Sequence, residues 1–131
     1  PPSLPQDSNL DLSKTVLPVL AVSLDEVKDL FHRYGLLDAQ VKFLKGWFKD
    51  TLSDSSIPNL ALLRLDGDLY ESTIDSLNHL YKKVVHGGFI IVDDYGSCEP
   101  CKEAITDFRT LNHITDPLVA VDTHCIYWRK E

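Results

Sequence analysis

Apolar residues recur along this chain at two different periods, and the alternation between them sets the expected fold. Leu24, Val27, Leu30, Phe31 and Tyr34 fall on one helical face. Ser23 followed by Glu26 makes a capping box ahead of that stripe, and Gly35 closes it, so a helix is expected between them. Val41 to Leu44, with Lys42 alternating, is a candidate strand that leads into Gly46, Trp47 and Phe48. Asn59 to Leu65 reads NLALLRL, the short apolar run of a parallel strand buried on both faces, and Asp66 sits at its end. Ser72 is expected to open a second helix, with Ile74, Leu77, Leu80, Tyr81 and Val84 on one face and Gly87-Gly88 as its stop. Phe89 to Val92 then forms another short strand ending in Asp93, Asp94 and Tyr95. Ser97 is the expected cap of a third helix bearing Cys101, Ala104, Ile105 and Phe108. Leu118 to Val121 and Cys125 to Trp128 read as two strands joined at Asp122-Thr123-His124.

Strands alternating with helices imply right-handed crossovers in a mostly parallel sheet covered by helices on both faces. The last two strands are too close for a crossover, so they are expected as an antiparallel hairpin at one edge. The first stretch carries four prolines and no sustained period. Residues 1–21 are therefore expected as an extended or mobile arm, and 22–131 as one α/β domain. Ligands of such sheets bind at the carboxyl ends of the strands, which is where both acidic elements fall.

Composition narrows the function. The 131 residues are 44% hydrophobic and 25% charged, with a formal net charge of -7. One core is expected, and no basic stripe is available to displace counterions from DNA or RNA, so nucleic acid is not an expected partner. No apolar run approaches the roughly 20 residues needed to cross a bilayer, and no signal-peptide pattern opens the chain, so the expectation is a cytoplasmic protein with no membrane partner. Three cysteines without framework spacing fit a reducing compartment.

Asp66 and the Asp93-Asp94 pair carry the candidate chemistry. Adjacent strand tips lie about 4.8 Å apart, so three carboxylates converge if these strands are neighbours. Their mutual repulsion is relieved by raised pKa values, by a basic partner such as Arg64, or by a hard cation such as Mg2+ or Ca2+. A lone aspartate after a strand more often caps a helix or turn. Here acid stands at the ends of both strands and nowhere inside them. Asp68 either caps the following turn or takes part in chemistry. Phosphoacceptor receiver domains also use three aspartates, but there the acidic pair precedes the single acid and a lysine ends a later strand, an order this chain does not follow. His32, His79, His86, His113 and His124 are scattered over helices, helix ends and a turn and form no set. Cys98-Glu-Pro-Cys101 has no second pair for zinc, and Cys101 falls on an apolar helical face.

The runs LALLRLDGDLYESTIDSLNHLYKKVVHGGFIIVDDYGSCEPCKEAITDF and VSLDEVKDLFHRYGLLDAQVKFLKGWFKDTL resemble the macrocin O-methyltransferase family, with likeness from about Val22 to Trp128. LRLDGDLYEST together with VDDYG is the specific part. The resemblance implies the carboxyl-terminal part of a Rossmann-like, class I methyltransferase domain. It also implies S-adenosylmethionine and Mg2+ as cofactors and a hydroxyl of a sugar or related natural product as small-molecule acceptor. Asp66, Asp93 and Asp94 then resemble the metal ligands. Gly46, Trp47 and Phe48 occupy the region that meets the cofactor's adenine, Tyr70 and Tyr95 are candidates to line the acceptor pocket, and Asp68 is the candidate general base. The chain departs from the family in lacking the opening strand and glycine-rich turn that wrap the cofactor, and Gly87-Gly88, expected after a helix, does not supply them. Either the chain is a fragment or truncated product, or those strands come from another chain. Two functions remain: an O-methyltransferase, or a metal-binding or assembly module derived from one. A sheet without its first strands exposes an edge, so a homo-oligomer through that edge is expected.

Overall fold

In a computed structural model the described residues are 4–7, 22–53, 56–57 and 59–131. Helix α1 spans Leu24–Arg33 and a single turn, α2, spans Phe48–Thr51. Strand β1 (Leu60–Leu65), helix α3 (Tyr70–Leu80), strand β2 (Val84–Val92) and helix α4 (Glu99–Leu111) come next, then β3 (Val119–Ala120) and β4 (Ile126–Arg129). Short 3-10 turns stand at Pro5–Asp7 and Tyr81–Lys83. The sheet order is β1-β2-β4-β3. Strands β1 and β2 run parallel through the α3 crossover, and β4 pairs antiparallel with both β2 and β3. The expected α/β sheet with its carboxyl-terminal antiparallel hairpin is what forms, and parallel pairing is confined to β1 and β2 among the described strands.

The core lies between the sheet and the α3–α4 pair. Leu63, Leu65, Val84, Ile90, Val92, Ile126 and Trp128 point inward from the strands and meet Leu77, Leu80, Cys101, Ile105 and Phe108. Trp128 is completely buried. Its indole lies under the Arg109 guanidinium, 5.0 Å from the ring centroid, and Tyr81 stacks at an angle against it while meeting Phe108 edge-on at 5.2 Å. Such aromatic contacts add to what burial alone contributes.

The opposite face differs from expectation. Leu62 is 50% exposed and Phe89 40%, so β1 is packed on one side and not on both. Among the described residues, α3 and α4 cover a single face. Helix α1 forms as its capping box predicts, with the Glu26 N–H donating to Ser23 Oγ at 3.2 Å, the Ser23 N–H donating to Glu26 Oε2 at 2.8 Å, and Gly35 at φ 67 ending it.

Four local expectations are corrected. Val41 to Leu44 forms no strand, because no described strand lies beside it to pair with; Phe43 instead packs edge-on against Phe31 of α1 at 5.5 Å. Ser72 does not open α3, which starts at Tyr70; the Ser72 hydroxyl turns back to the Gly67 carbonyl at 2.5 Å. Gly87-Gly88 does not end a helix: α3 stops at Leu80, Val84 opens β2, and His86 and both glycines lie within that strand. They serve the irregular pairing between Leu60 and Leu62, where a Cβ on Gly88 would stand 3.0 Å from the Ala61 carbonyl oxygen. Ser97 is not the cap of α4 either; that place is taken by Cys98, whose side chain makes no capping bond, while Pro100 occupies the first turn.

Of the arm expected over residues 1–21, only 4–7 are described, and these form a turn whose Asp7 is completely buried. The remainder lies outside the described residues. No helix among the described residues is long and apolar enough to cross a membrane.

The packing makes a direct prediction. Ile90→Ala should cost about 2–5 kcal/mol in chemical denaturation, the usual range for a buried aliphatic truncation, whereas Leu62→Ala should stay within about 0.5 kcal/mol if its face is open to water. A loss at Leu62 comparable to that at Ile90 would show that something covers the second face in solution.

Candidate functional site

Strand register builds the site. The Asp93 N–H donates to the Leu65 carbonyl at 3.0 Å, which continues the β1–β2 ladder by one bond and levels the two strand tips. Asp66, Asp93 and Asp94 are thereby gathered so that one carboxylate oxygen from each lies within 4.8 Å of the others. Three negative charges at that spacing repel strongly unless compensated.

Compensation comes from two directions. Arg64 reaches from β1 and bridges two acids, with Nη1 2.7 Å from Asp66 Oδ2 and Nη2 2.8 Å from Asp93 Oδ2. The third acid has no such partner. Burial pushes the Asp94 carboxyl up to about 6, and the charges of Asp68, Asp66 and Asp93 push it the same way. Its Oδ2 is buried without a hydrogen-bond partner.

Asp68 stands on the inner side of this cluster. Its backbone is in the left-handed region at φ 56, which aspartate tolerates better than most residues. The Cys98 thiol donates to Asp68 Oδ1 at 3.9 Å, and Asp68, Asp94 and Cys98 form a second convergent group that shares Asp94 with the first. Burial, with the charges of Asp68 and Asp94, raises the Cys98 thiol above its ordinary value. Burial pushes Cys101 up to about 12. Both thiols therefore stay protonated near neutrality, and Cys98 acts as a donor and not as a thiolate. Asp68 does not cap α3, whose N-cap is Leu69.

The other candidate residues are spread around this cluster. The Tyr70 hydroxyl donates to Asp107 Oδ2 at 3.0 Å, tying α3 to α4. Tyr95 is half-buried against the core. Gly46 and Trp47 precede α2, with the Trp47 indole 67% exposed. Phe48 comes into the cluster's neighbourhood: it lines a small cavity of about 40 Å3 with Arg64, Leu65, Asp66, Gly67, Ser72, Thr73 and Ser76. A larger cavity of about 580 Å3 opens beside Asp68's partner Cys98, lined also by Pro5, Gln6, Ser97, Glu99, Pro100 and Glu103.

Asp7 is the residue that sequence reading missed. Its two carboxylate oxygens accept the backbone N–H groups of Tyr70 (2.6 Å) and Glu71 (3.0 Å), capping α3 from more than sixty residues away. One signal pointed to such a partner: Leu69, just before the helix, offers no acceptor, so the first N–H groups had to be satisfied from elsewhere.

A parallel strand-helix-strand unit with acids at both strand tips, closed by an antiparallel hairpin, defines the class as an α/β domain of methyltransferase type. Residues 1–130 match the macrocin O-methyltransferase (TylF) family, and the chain belongs to that family. It is 54% identical over 112 residues to the demethyldecarbamoylnovobiocin O-methyltransferase of Streptomyces niveus, an alignment covering 86% of this chain and 43% of that protein. With the mycinamicin III 3''-O-methyltransferase of Micromonospora griseorubida the identity is 45% over 128 residues, 96% of this chain and 50% of the relative. The structure of the O-methyltransferase NovP superposes with a TM-score of 0.93 at 50% identity, over 97% of this chain and 52% of that one. The chain thus spans about half the length of the relatives it matches.

Asp94 makes the site sensitive to pH. Its pKa in the fold, about 6 against an ordinary 3.8, lies above the unfolded value. Its contribution to stability is therefore present in full below about pH 4 and lost as pH rises through about 6. In chelator, this part of the fall in midpoint temperature between those values should disappear in Asp94→Asn. An unchanged slope in the variant would exclude Asp94 as the titrating group.

Proposed function

We propose that this chain is the metal-bearing part of an S-adenosylmethionine- and Mg2+-dependent O-methyltransferase that acts on a hydroxyl of a sugar or related natural product. The observation that carries the reading is the convergence of Asp66, Asp93 and Asp94 at the carboxyl ends of two parallel strands in a member of this family. The donor set fits a hard divalent cation: all three groups are carboxylates, and Asp94 Oδ2 is without a partner. Asp66 and Asp93 would be shared between the ion and the half-exposed Arg64. When bound, the ion supplies orientation to the acceptor hydroxyl and lowers its pKa.

The chain's own residues divide the remaining work. Asp68 takes the hydroxyl proton on its carboxylate, and the Cys98 thiol, by donating to Oδ1, holds that carboxylate in place. The cavity of about 580 Å3 beside Cys98 receives the acceptor; Glu99 and Glu103 on its wall suit a neutral, hydroxyl-rich ring better than an anionic one. Tyr70 and Tyr95 support this region through α3, α4 and the loop after β2 and need not touch the acceptor. For S-adenosylmethionine the fit is partial. Trp47 offers an exposed indole and Phe48 a flanking ring for a purine face, but no strand-linked glycine-rich turn occurs among the described residues. A metal-binding or assembly module without chemistry of its own is the second reading, and the acidic cluster favours it in so far as holding a cation needs no methyl donor.

Residues 22–131, joined by the Pro5–Asp7 turn that packs against them, form the functional unit in either reading, and a cytoplasmic setting suits both. Strand β1 has one partner among the described strands, and its other edge is the place for association with a second copy. Light scattering at high concentration should detect a dimer or larger species; a monomer there removes the edge-pairing proposal.

Calorimetric titration with S-adenosylmethionine, in Mg2+ and again in chelator, separates the readings. The enzyme reading expects cofactor binding, Mg2+ binding that is lost in Asp93→Asn, and a fall of about 10²-fold or more in turnover for Asp68→Ala at unchanged Mg2+ affinity. Mg2+ binding with no cofactor binding supports the module, and absence of both overturns the metal site.

A further inference from the structure

We infer that Asp7 is a positioning residue: by capping α3 it holds the Asp66-Gly67-Asp68 loop, and with it the acidic cluster, in working geometry. The inference rests on the proposed metal site for its functional meaning, but its structural content stands separately. Helix α3 begins at Tyr70 behind an N-cap residue, Leu69, that makes no side-chain bond. The first N–H groups of a helix have no partner within it and carry a partial positive charge. Asp7 supplies an acceptor to two of them, one from each carboxylate oxygen, while completely buried. A buried carboxylate is tolerated only when it is hydrogen-bonded and its charge is met. Asp7 and the start of α3 therefore hold each other in place.

The loop immediately before that helix gives the contact its consequence. Only Asp66 to Leu69 separate β1 from α3. The loop is tight: the Leu69 N–H donates to the Gly67 carbonyl at 2.5 Å, and the Ser72 hydroxyl returns to the same oxygen at 2.5 Å. One end is fixed by the sheet, so the start of α3 sets where Asp66 and Asp68 stand. If the first turn of α3 frays or shifts, the left-handed Asp68 loses its approach to Cys98 and Asp94, and Asp66 its approach to Asp93. Pro5 and Gln6, adjoining Asp7, line the large cavity with Cys98, Glu99 and Glu103, and Gln6 Oε1 is buried there without a partner. Asp7 thus adjoins one wall of the cavity and, through the start of α3, fastens the loop that carries Asp66 and Asp68.

The test uses this chain as Asp7→Ala, Asp7→Asn and, as a control, Ile105→Val, a core change on α4 that touches neither Asp7 nor the acids' own hydrogen bonds. Amide hydrogen exchange, Mg2+ titration and thermal unfolding are measured on each. Asp7→Ala should expose the Tyr70 and Glu71 amides to faster exchange while β2 and α4 keep their protection, and weaken Mg2+ binding about tenfold, as loss of a group that orients ligands does. Asp7→Asn keeps one acceptor oxygen and should recover part of both effects. Ile105→Val should lower the midpoint temperature with Mg2+ affinity unchanged, so a parallel loss of affinity there would assign the Asp7 effect to stability and overturn the inference. Wild-type exchange at Tyr70 and Glu71 in a folded Asp7→Ala also overturns it. If Asp7→Ala does not fold, the graded response of Asp7→Asn decides. If the unaltered chain binds no Mg2+, the metal reading fails, and exchange at those two amides, with the Gly67 and Asp68 backbone shifts, still decides whether Asp7 holds the loop.

Discussion

Parallel register between β1 and β2 is the constraint on which the rest depends. It puts two strand ends level and delivers their acids to one point, a gathering that like charges resist. The neighbouring features can be understood as ways of bearing that repulsion. On the outer side Arg64 bridges Asp66 and Asp93, within reach of water. On the inner side no cation is at hand among the described residues, and there the proton is the counter-charge: Asp94 holds it up to about pH 6 and Cys98 keeps its own beside Asp68.

The sheet that enforces this register is asymmetric. Its inner face is closed to water, with Ile90, Val92 and Trp128 completely buried. Its outer face leaves Leu62 and Phe89 substantially in water, next to the half-exposed Arg64 that serves the acids. Strand β2 is central, flanked by β1 and β4, so the pair Asp93-Asp94 rides on the most firmly held strand. Asp66 rides on an outer strand and depends more on the loop and helix after it. The irregular pairing near Gly87 and Gly88 does not reach the site, because regular register resumes at Leu62 opposite Phe89 and runs to Leu65 opposite Val92.

The parts of this arrangement that sequence makes legible are those decided by local pattern. Apolar runs ending in acid, the capping box at Ser23 and Glu26, and the short link at Asp122 to His124 all lead to elements that form. The parts that escape are decided by a partner elsewhere. Val41 to Leu44 has strand-like alternation but no described neighbour. Val84 suits the apolar stripe of α3 and equally the start of a β-strand, and pairing with Leu60 decides for the strand, which carries the two glycines with it. Ser72 and Ser97 have the chemistry of N-caps, yet each turns its hydroxyl to a carbonyl of the preceding loop. Asp7 lies in a stretch with no periodicity at all, and its role exists only once α3 has folded beside it.

The loop Asp66-Gly67-Asp68 shows how a site can displace a structural duty. An aspartate two residues before a helix is well placed to contribute to its capping, but Asp68 adopts φ 56 and directs its carboxylate to Cys98 and the acidic cluster. Gly67 permits the close return of Ser72, whose Oγ would lie 3.0 Å from a Cβ at that position. With both polar side chains of the loop turned toward the cluster and the intervening residue bare, α3 is left with Leu69 at its N-cap and its first N–H groups without a partner from the loop's side chains. A group from outside the loop must meet them, because leaving backbone donors buried and unpaired costs about as much as a lost hydrogen bond. Asp7 fills that need, and its complete burial is the structural counterpart of an Asp68 left free to face the site.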